Sequence, residues 1–212
     1  MGPTERGAAR GRARRFRQTD RVRPAQPADV AALAAGVLGR GPRLGAVRLV
    51  CVDGPAGSGK STLAGALAAH LGAGCAVVHL DDLYEGWSGL ACVWDRVESQ
   101  VLAPLAVGRR ARFRRYDWSA GSFAEWVDVP VPTVLVLEGC GSAPRAVDDR
   151  AVLRVFVEAP DEVRLGRGLA RDGEAERAHW LAWMRDEAAE FAREDTRARA
   201  DVVVDGTAPL AG

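Results

Sequence analysis

The chain predicts an α/β fold, a mostly parallel sheet covered by helices on both faces. Three observations carry this. Apolar runs of strand length alternate with stretches of helical periodicity over residues 26–212. A glycine-rich turn, Gly54-Pro55-Ala56-Gly57-Ser58-Gly59-Lys60-Ser61-Thr62, lies where the first apolar run passes into a helix. Further on, Thr133-Val134-Leu135-Val136-Leu137-Glu138 is an unbroken apolar run closed by an acid, as expected of a strand buried on both faces with a functional tip.

Pro27 to Arg40 reads as a first helix, capped by Asp29 and ended by Gly39 and Gly41. Val47 to Val52 is the first strand, and Leu63, Leu67 and Leu71 mark one face of the helix behind the glycine turn. Ala76 to Leu80 is the second strand, ending in Asp81-Asp82-Leu83-Tyr84, and a loop with Gly86, Trp87 and Gly89 follows. Val93, Val97 and Val101 mark a helix that Pro104 ends or kinks. Ala111 to Trp118 is extended, with a turn at Gly121. After the run at 133–138 come a strand at Val152–Val157 and a helix at Asp161–Arg171. A longer helix from Glu174 to Arg193 carries Trp180, Met184, Ala188 and Phe191 on one stripe, and a last strand runs from Ala200 to Val204. There are no internal repeats. In parallel sheets of this kind ligands bind at the carboxyl ends of the strands. Residues 54–61, Asp81 and Glu138 should therefore converge on one edge.

The glycine turn fits G-x-x-x-x-G-K-[ST] at every fixed position. Free backbone N–H groups and the positive end of the following helix converge there on an anion. Gly54, Ala56, Gly57, Ser58, Gly59 and Thr62 would supply the cradle, Lys60 would reach the β- and γ-phosphates, and the Ser61 hydroxyl would face Mg²⁺. Lys60 is the only lysine among 29 basic residues, and the chain has no isoleucine or asparagine, the bias of a GC-rich genome. A lone lysine in such a background marks a place where the flat arginine fork will not serve and a compact ammonium will. The bland alternative is a glycine turn that matches by chance. A dinucleotide fold is disfavoured, because the spacing is not G-x-G-x-x-G.

At 212 residues the chain makes one domain, 26–212, preceded by a basic tail, 1–25. The net charge of +1 hides an asymmetry: residues 1–25 hold eight arginines against Glu5 and Asp20, a local +6, which leaves −5 for the rest. The tail is too poor in large apolar residues to fold alone, and reads as disordered or as an arm for an anionic partner. Arg14-Arg15-Phe16 is followed by no apolar segment, so export is not expected. No run approaches membrane-spanning length. Cys51, Cys75, Cys92 and Cys140 have neither disulfide nor zinc spacing. These features lead to the expectation of a cytoplasmic chain without a membrane partner, its partners ATP and a small-molecule acceptor in preference to nucleic acid, and its oligomeric state open, a homodimer being one option.

Phosphoryl transfer to a hydroxyl needs a phosphate cradle, a metal, a carboxylate to take the hydroxyl proton, and arginines over the transferring group. Asp81 stands where a base would be placed, with Asp82 as its rival. Glu138 stands where a metal-organising acid lies, so Ser61, Asp81 and Glu138 form the candidate metal set. Arg164, Arg167 and Arg171 fall on one helical face. Tyr84, Trp87 and Trp118 are candidate walls for a flat or apolar acceptor, and Tyr116 and Asp117 are either acceptor contacts or plain strand residues. Trp126, Trp180 and Trp183 read as core or interface. The run Arg109, Arg110, Arg112, Arg114, Arg115 reads as a solvated face or as a contact for a phosphorylated acceptor. The three histidines show no metal spacing and are assigned no role.

Together these residues resemble the uridine kinase branch of P-loop kinases, which includes phosphoribulokinase and bacterial pantothenate kinase. The resemblance covers most of residues 46–205. The family's Asp-x-Phe-Tyr appears as Asp81-Asp82-Leu83-Tyr84, its Tyr-Asp-Phe as Tyr116-Asp117-Trp118, its Glu-Gly as Glu138-Gly139, and its arginine lid as Arg164 to Asp172. The resemblance implies a three-layer P-loop fold with a five-stranded parallel sheet in the order 2-3-1-4-5 and a short lid. It implies Asp81 as the base, Lys60, Arg167 and Arg171 as catalytic cations, and ATP with Mg²⁺. The His-Ser-Arg that follows Tyr-Asp-Phe in uridine kinases is missing, and the lid is shortened to Arg171-Asp172-Gly173. The reading is therefore an ATP-dependent small-molecule kinase with uridine or cytidine leading among acceptors. Another hydroxylated metabolite, antibiotic-like ones included, comes second. A nucleotide-dependent switch or nucleic-acid-associated ATPase is the rival from another class, and a paralogue that binds nucleotide without catalysis is a third.

Overall fold

A computed structural model describes residues 24–211. The arginine-rich segment 1–25 therefore lies, up to residue 23, outside the described residues. Strands β1 (Arg48–Asp53), β2 (Cys75–His79), β5 (Val134–Glu138), β6 (Ala151–Glu158) and β7 (Val202–Asp205) form one parallel sheet, ordered β2-β5-β1-β6-β7. Counting only these five, the order is the expected 2-3-1-4-5. The two ends of the described stretch meet: Gln26 pairs with Val204 of β7 and Asp29 with Ala211.

Side chains alternate across a strand, and the alternation assigns each face its helices. From β1 and β5, Leu49, Cys51, Leu135 and Leu137 face one core cluster, and Val50, Val52, Val134 and Val136 face another. Helices α1 (Val30–Leu38) and α2 (Lys60–Leu71) cover the valine face through Val30, Val37, Leu63 and Leu67. Asp29 caps α1 by accepting a hydrogen bond from the Ala32 N–H at 2.8 Å, as expected.

A continuous helical stretch covers the other face: α3 (Val93–Arg96), a π-helical segment (Val97–Leu102) and α4 (Ala103–Ala106). Pro104 does not end this helix. The wider π turns ahead of it relax the ladder where proline has no N–H to donate. Beyond it, β3 (Ala111–Asp117) and β4 (Ser122–Val129) form a separate antiparallel hairpin. Two long helices complete the layer, α5 (Asp161–Asp172) and α6 (Arg177–Glu194), followed by α7 (Thr196–Arg199).

The buried face of α6 differs from the expected stripe. Trp180, Trp183 and Glu187 are buried, while Ala188 is exposed. An apolar-periodicity argument passes over a buried glutamate, and Glu187 lies on the buried face beside the two tryptophans. Trp126 also departs from the core reading: it is 48 % exposed on β4, with the Arg112 guanidinium over its ring. Among the described residues no helix is long and apolar enough to cross a membrane. The four cysteines are free thiols.

Candidate active site

The carboxyl ends of β1, β2 and β5 open into a single cleft of about 1190 Å³, beyond the usual span for one drug-sized ligand. Lys60, Ser61, Asp81, Glu138, Arg167 and Arg171 all line it, so the convergence expected from strand order occurs.

The glycine turn forms a loop closed by Gly59, in the left-handed region at φ 105°, which leads into the first turn of α2. Among the described residues the Gly57 and Gly59 amides donate to no protein acceptor, so they remain available for an anion. Gly57 holds φ +77°, and a Cβ there would lie 2.6 Å from the Arg164 carbonyl oxygen; only glycine fits between loop and lid helix. Gly54 and Ser58 do not reach the cleft surface. They shape the loop from behind, and the buried Ser58 hydroxyl has no partner.

Lys60 is buried, its ammonium donating to the Pro55 carbonyl at 3.0 Å. Burial works against its charge. It also keeps Cys140, 3.7 Å away, a neutral thiol, so the carboxylates Glu138, Asp81 and Glu187 are what hold the lysine above its ordinary pKa. Glu138 joins two partners: Ser61 Oγ donates to Oε1 at 3.2 Å, and His79 Nδ1 lies 2.6 Å from Oε2. That hydrogen bond raises the His79 pKa against the opposing effect of burial. Asp81 is raised by desolvation within the pocket walls, while Lys60 pulls it back and Glu138 adds to the rise. Its surface is nonetheless exposed to the open cleft, so water tempers the desolvation. Asp82 is likewise raised, chiefly by desolvation, and lines the same wall.

Among the described residues no three His, Cys, Asp or Glu side chains stand ready to hold a metal by themselves. Mg²⁺ suits such a place, since it keeps several waters and takes one or two protein oxygens plus phosphates. Ser61 Oγ and Glu138, already hydrogen-bonded to each other, fit that role.

The expected lid arginines divide. Arg164 is buried and structural, bound to Glu187, Asp161 and the Ala56 carbonyl. Arg167 lines the cleft and donates to the Gly57 and Gly206 carbonyls, each at 3.1 Å. Arg171 lines it too, paired with Asp172 and lying 5.8 Å from the Trp180 ring centroid.

An aromatic corner makes up the far half. Trp87 and Trp118 meet edge to face at 5.6 Å, and Trp118 donates to the Asp81 carbonyl at 2.9 Å, tying this wall to the acid. His179 stacks on Trp87 at 5.5 Å. Tyr84 is only 1 % exposed and donates to the Cys140 carbonyl at 2.7 Å, so it forms floor rather than wall. Tyr116 lines the cleft but Asp117 does not: its carboxylate accepts from Ser119 and Ala120 in its own turn. A register shift between Arg114 and Tyr116 interrupts the alternation of β3 just ahead of this pair. The arginine run splits at that same irregularity. Arg115 reaches the cleft, paired with Glu125 at 2.6 Å, while Arg112 and Arg114 engage β4.

Sequence reasoning missed four contributors. Asp53 ends β1 fully buried, and its carboxylate accepts from the Gly54, Gly141 and Ala143 amides, joining the loops after β1 and β5. His79 and Glu187 are the second and third. The fourth is the segment after β7, where Gly206 to Leu210, with Val157 and Val204, line an apolar end of the cleft beside Arg167. A Gly-Thr-Ala-Pro turn after a last strand was the only available signal for it.

The chain belongs to the AAA domain family, whose model matches residues 50–193. No curated protein sequence matches it. Among solved structures the fold is shared with P-loop kinases. A protein described as a possible uridine kinase from Bacillus stearothermophilus is 21 % identical, covering 83 % of this chain and 97 % of its own, with a TM-score of 0.61. One described as a fructose transport system kinase from Silicibacter sp. is 25 % identical, covering 82 % and 98 %, at 0.55. A D-glycerate 3-kinase from Cryptococcus neoformans is 16 % identical, covering 86 % and 97 %, at 0.51. The expected resemblance thus holds at the level of fold and P-loop family.

Proposed function

We propose that the protein transfers the γ-phosphoryl group of ATP to a hydroxyl of a small molecule, with uridine or cytidine leading among acceptors. The observation that supports this best is the layout of one cleft: apolar base end, amide and lysine cradle, carboxylates, then an aromatic corner. A nucleotide and a second substrate would lie end to end across Asp81.

In this reading the loop amides and Lys60 hold the β- and γ-phosphates, and Val157, Val204 and Leu210 pack the base. Mg²⁺, held by Ser61 and Glu138, would offset charge on the phosphate oxygens when bound. Asp81 accepts the acceptor's hydroxyl proton as its oxygen bonds to phosphorus and the bond to the ADP oxygen breaks. Arg167 and Arg171 offset charge on the transferring group. Trp87 and Trp118 seat the acceptor and keep out water, which would otherwise be the acceptor. The aromatic corner, in place of the missing His-Ser-Arg, keeps other flat hydroxylated metabolites as the second reading.

The test is phosphate transfer from ATP across a panel of nucleosides and hydroxylated metabolites, run beside Lys60→Ala. Acceptor-dependent ADP formation should fall about 10²-fold or more in the variant, as for removal of a preorganised charge at a phosphoryl site, with the circular dichroism spectrum kept. Turnover retained by Lys60→Ala, or absent from the native protein with every acceptor, would end the proposal.

A further inference from the structure

We infer that Glu187, partnered by Arg164, is a positioning residue that holds the phosphate loop in its receiving shape and fixes it to the α5–α6 pair. The inference rests on the phosphate-binding reading and adds the group that shapes the loop.

Glu187 lies on α6, far along the chain from the loop, and is 1 % exposed. Its Oε2 accepts from the Ala56 N–H at 2.8 Å, and its Oε1 accepts from Arg164 Nη1 at 2.6 Å. The same Nη1 donates to the Ala56 carbonyl at 3.0 Å. One loop residue is thus gripped at both its N–H and its C=O by a single buried ion pair. Ala56 occupies a variable position of the motif and has no polar side chain to fix itself. One residue on, Arg167 takes the Gly57 carbonyl. Gly168 lets α5 lie flat on the indole of Trp180, where a Cβ would come within 2.3 Å of the ring, so α5 and α6 pack as one body. Cys140 Sγ sits 3.4 Å from Glu187 Oε2, on the side toward Lys60.

A device for stability alone would look different. Burying two charges costs desolvation that apolar packing avoids, and breaking such a pair is far costlier than never building it. This pair also leaves Arg164 Nε buried without a partner. What the arrangement supplies is the placement of one peptide between the lid helix and the amides that meet phosphate.

The experiment compares the full chain with Glu187→Gln and with the apolar double variant Arg164→Met/Glu187→Leu. Three quantities are read: amide hydrogen exchange over residues 54–63, the thermal midpoint, and the affinity for ATP with magnesium by titration calorimetry. Glu187→Gln should speed exchange in the loop and weaken ATP about tenfold, the worth of one charge-assisted hydrogen bond. The double variant should recover the thermal midpoint but not the loop protection or the ATP affinity. Recovery of all three would make the pair a stabiliser and overturn the inference, as would Glu187→Gln with native exchange and affinity. Faster loop exchange in Glu187→Gln, in a protein whose native form binds no ATP, would refute the phosphate reading while upholding the clamp.

Discussion

Asp53 offers the sharpest quantitative test of how the loops around the cleft are tied together. Its carboxylate is fully buried at the end of β1, and desolvation raises its pKa from the ordinary 3.8 to about 6, even though three backbone amides favour the ionised form. A tenfold change in proton affinity is worth about 1.4 kcal/mol, so the rise amounts to about 3 kcal/mol. The folded state holds this proton more tightly than the unfolded chain does. Stability from this group is therefore present at and below pH 3.8 and is lost as pH rises through 6. Asp53→Asn removes the titration while keeping the volume. Urea unfolding of both proteins between pH 4 and pH 7 gives the difference in unfolding free energy at each pH. That difference, native minus variant, should fall by up to about 3 kcal/mol across the interval. Taking the difference cancels Asp81, Asp82 and His79, which titrate in both proteins. A flat difference would mean that Asp53 is ionised throughout, its three amides outweighing its burial, and would refute the argument.

Asp81→Asn should lower phosphate transfer by about 10²–10⁴-fold with ATP affinity unchanged. If Asp82→Asn does this and Asp81→Asn does not, the base has been misassigned. Gly168→Ala should lower the thermal midpoint through overpacking worth about 1–3 kcal/mol, since neither the α5 backbone nor the buried indole can yield. An unchanged melting curve would show that the α5–α6 contact is loose. Trp118→Ala should raise KM for the acceptor and leave KM for ATP alone; an equal rise in both would remove Trp118 from the acceptor wall. Deleting residues 1–25 should leave transfer intact, whereas a loss of activity would point to the arginine tail as a working part.

The parts readable from the residues alone were those whose physics is local. A loop that must meet phosphate with bare amides needs glycines at fixed spacing, so Gly54 to Thr62 announced the cradle. A strand buried on both faces must be apolar throughout, so Val134 to Leu137 marked an inner strand of the sheet and Glu138 its tip. The Asp29 cap followed from its place before a helical run. Sheet order followed only from the family resemblance, because pairing partners far apart in a chain leave no spacing to read.

What needed the tertiary structure was every group whose partner lies on another element. Asp53 ends an apolar run and Glu187 interrupts an apolar stripe, and both look misplaced until the amides and the guanidinium that satisfy them come into view. His79 has no metal spacing because it serves a carboxylate on the neighbouring strand. Tyr116 and Asp117 are adjacent in the chain, and only the local course of the hairpin, with its register shift after Arg114 and the turn that holds the Asp117 carboxylate, decides which of them lines the cleft. Sequence determines which residues can bind phosphate or fill a core through their own chemistry. The fold decides which buried charges are paired, because pairing depends on distances that the backbone sets only once it has closed.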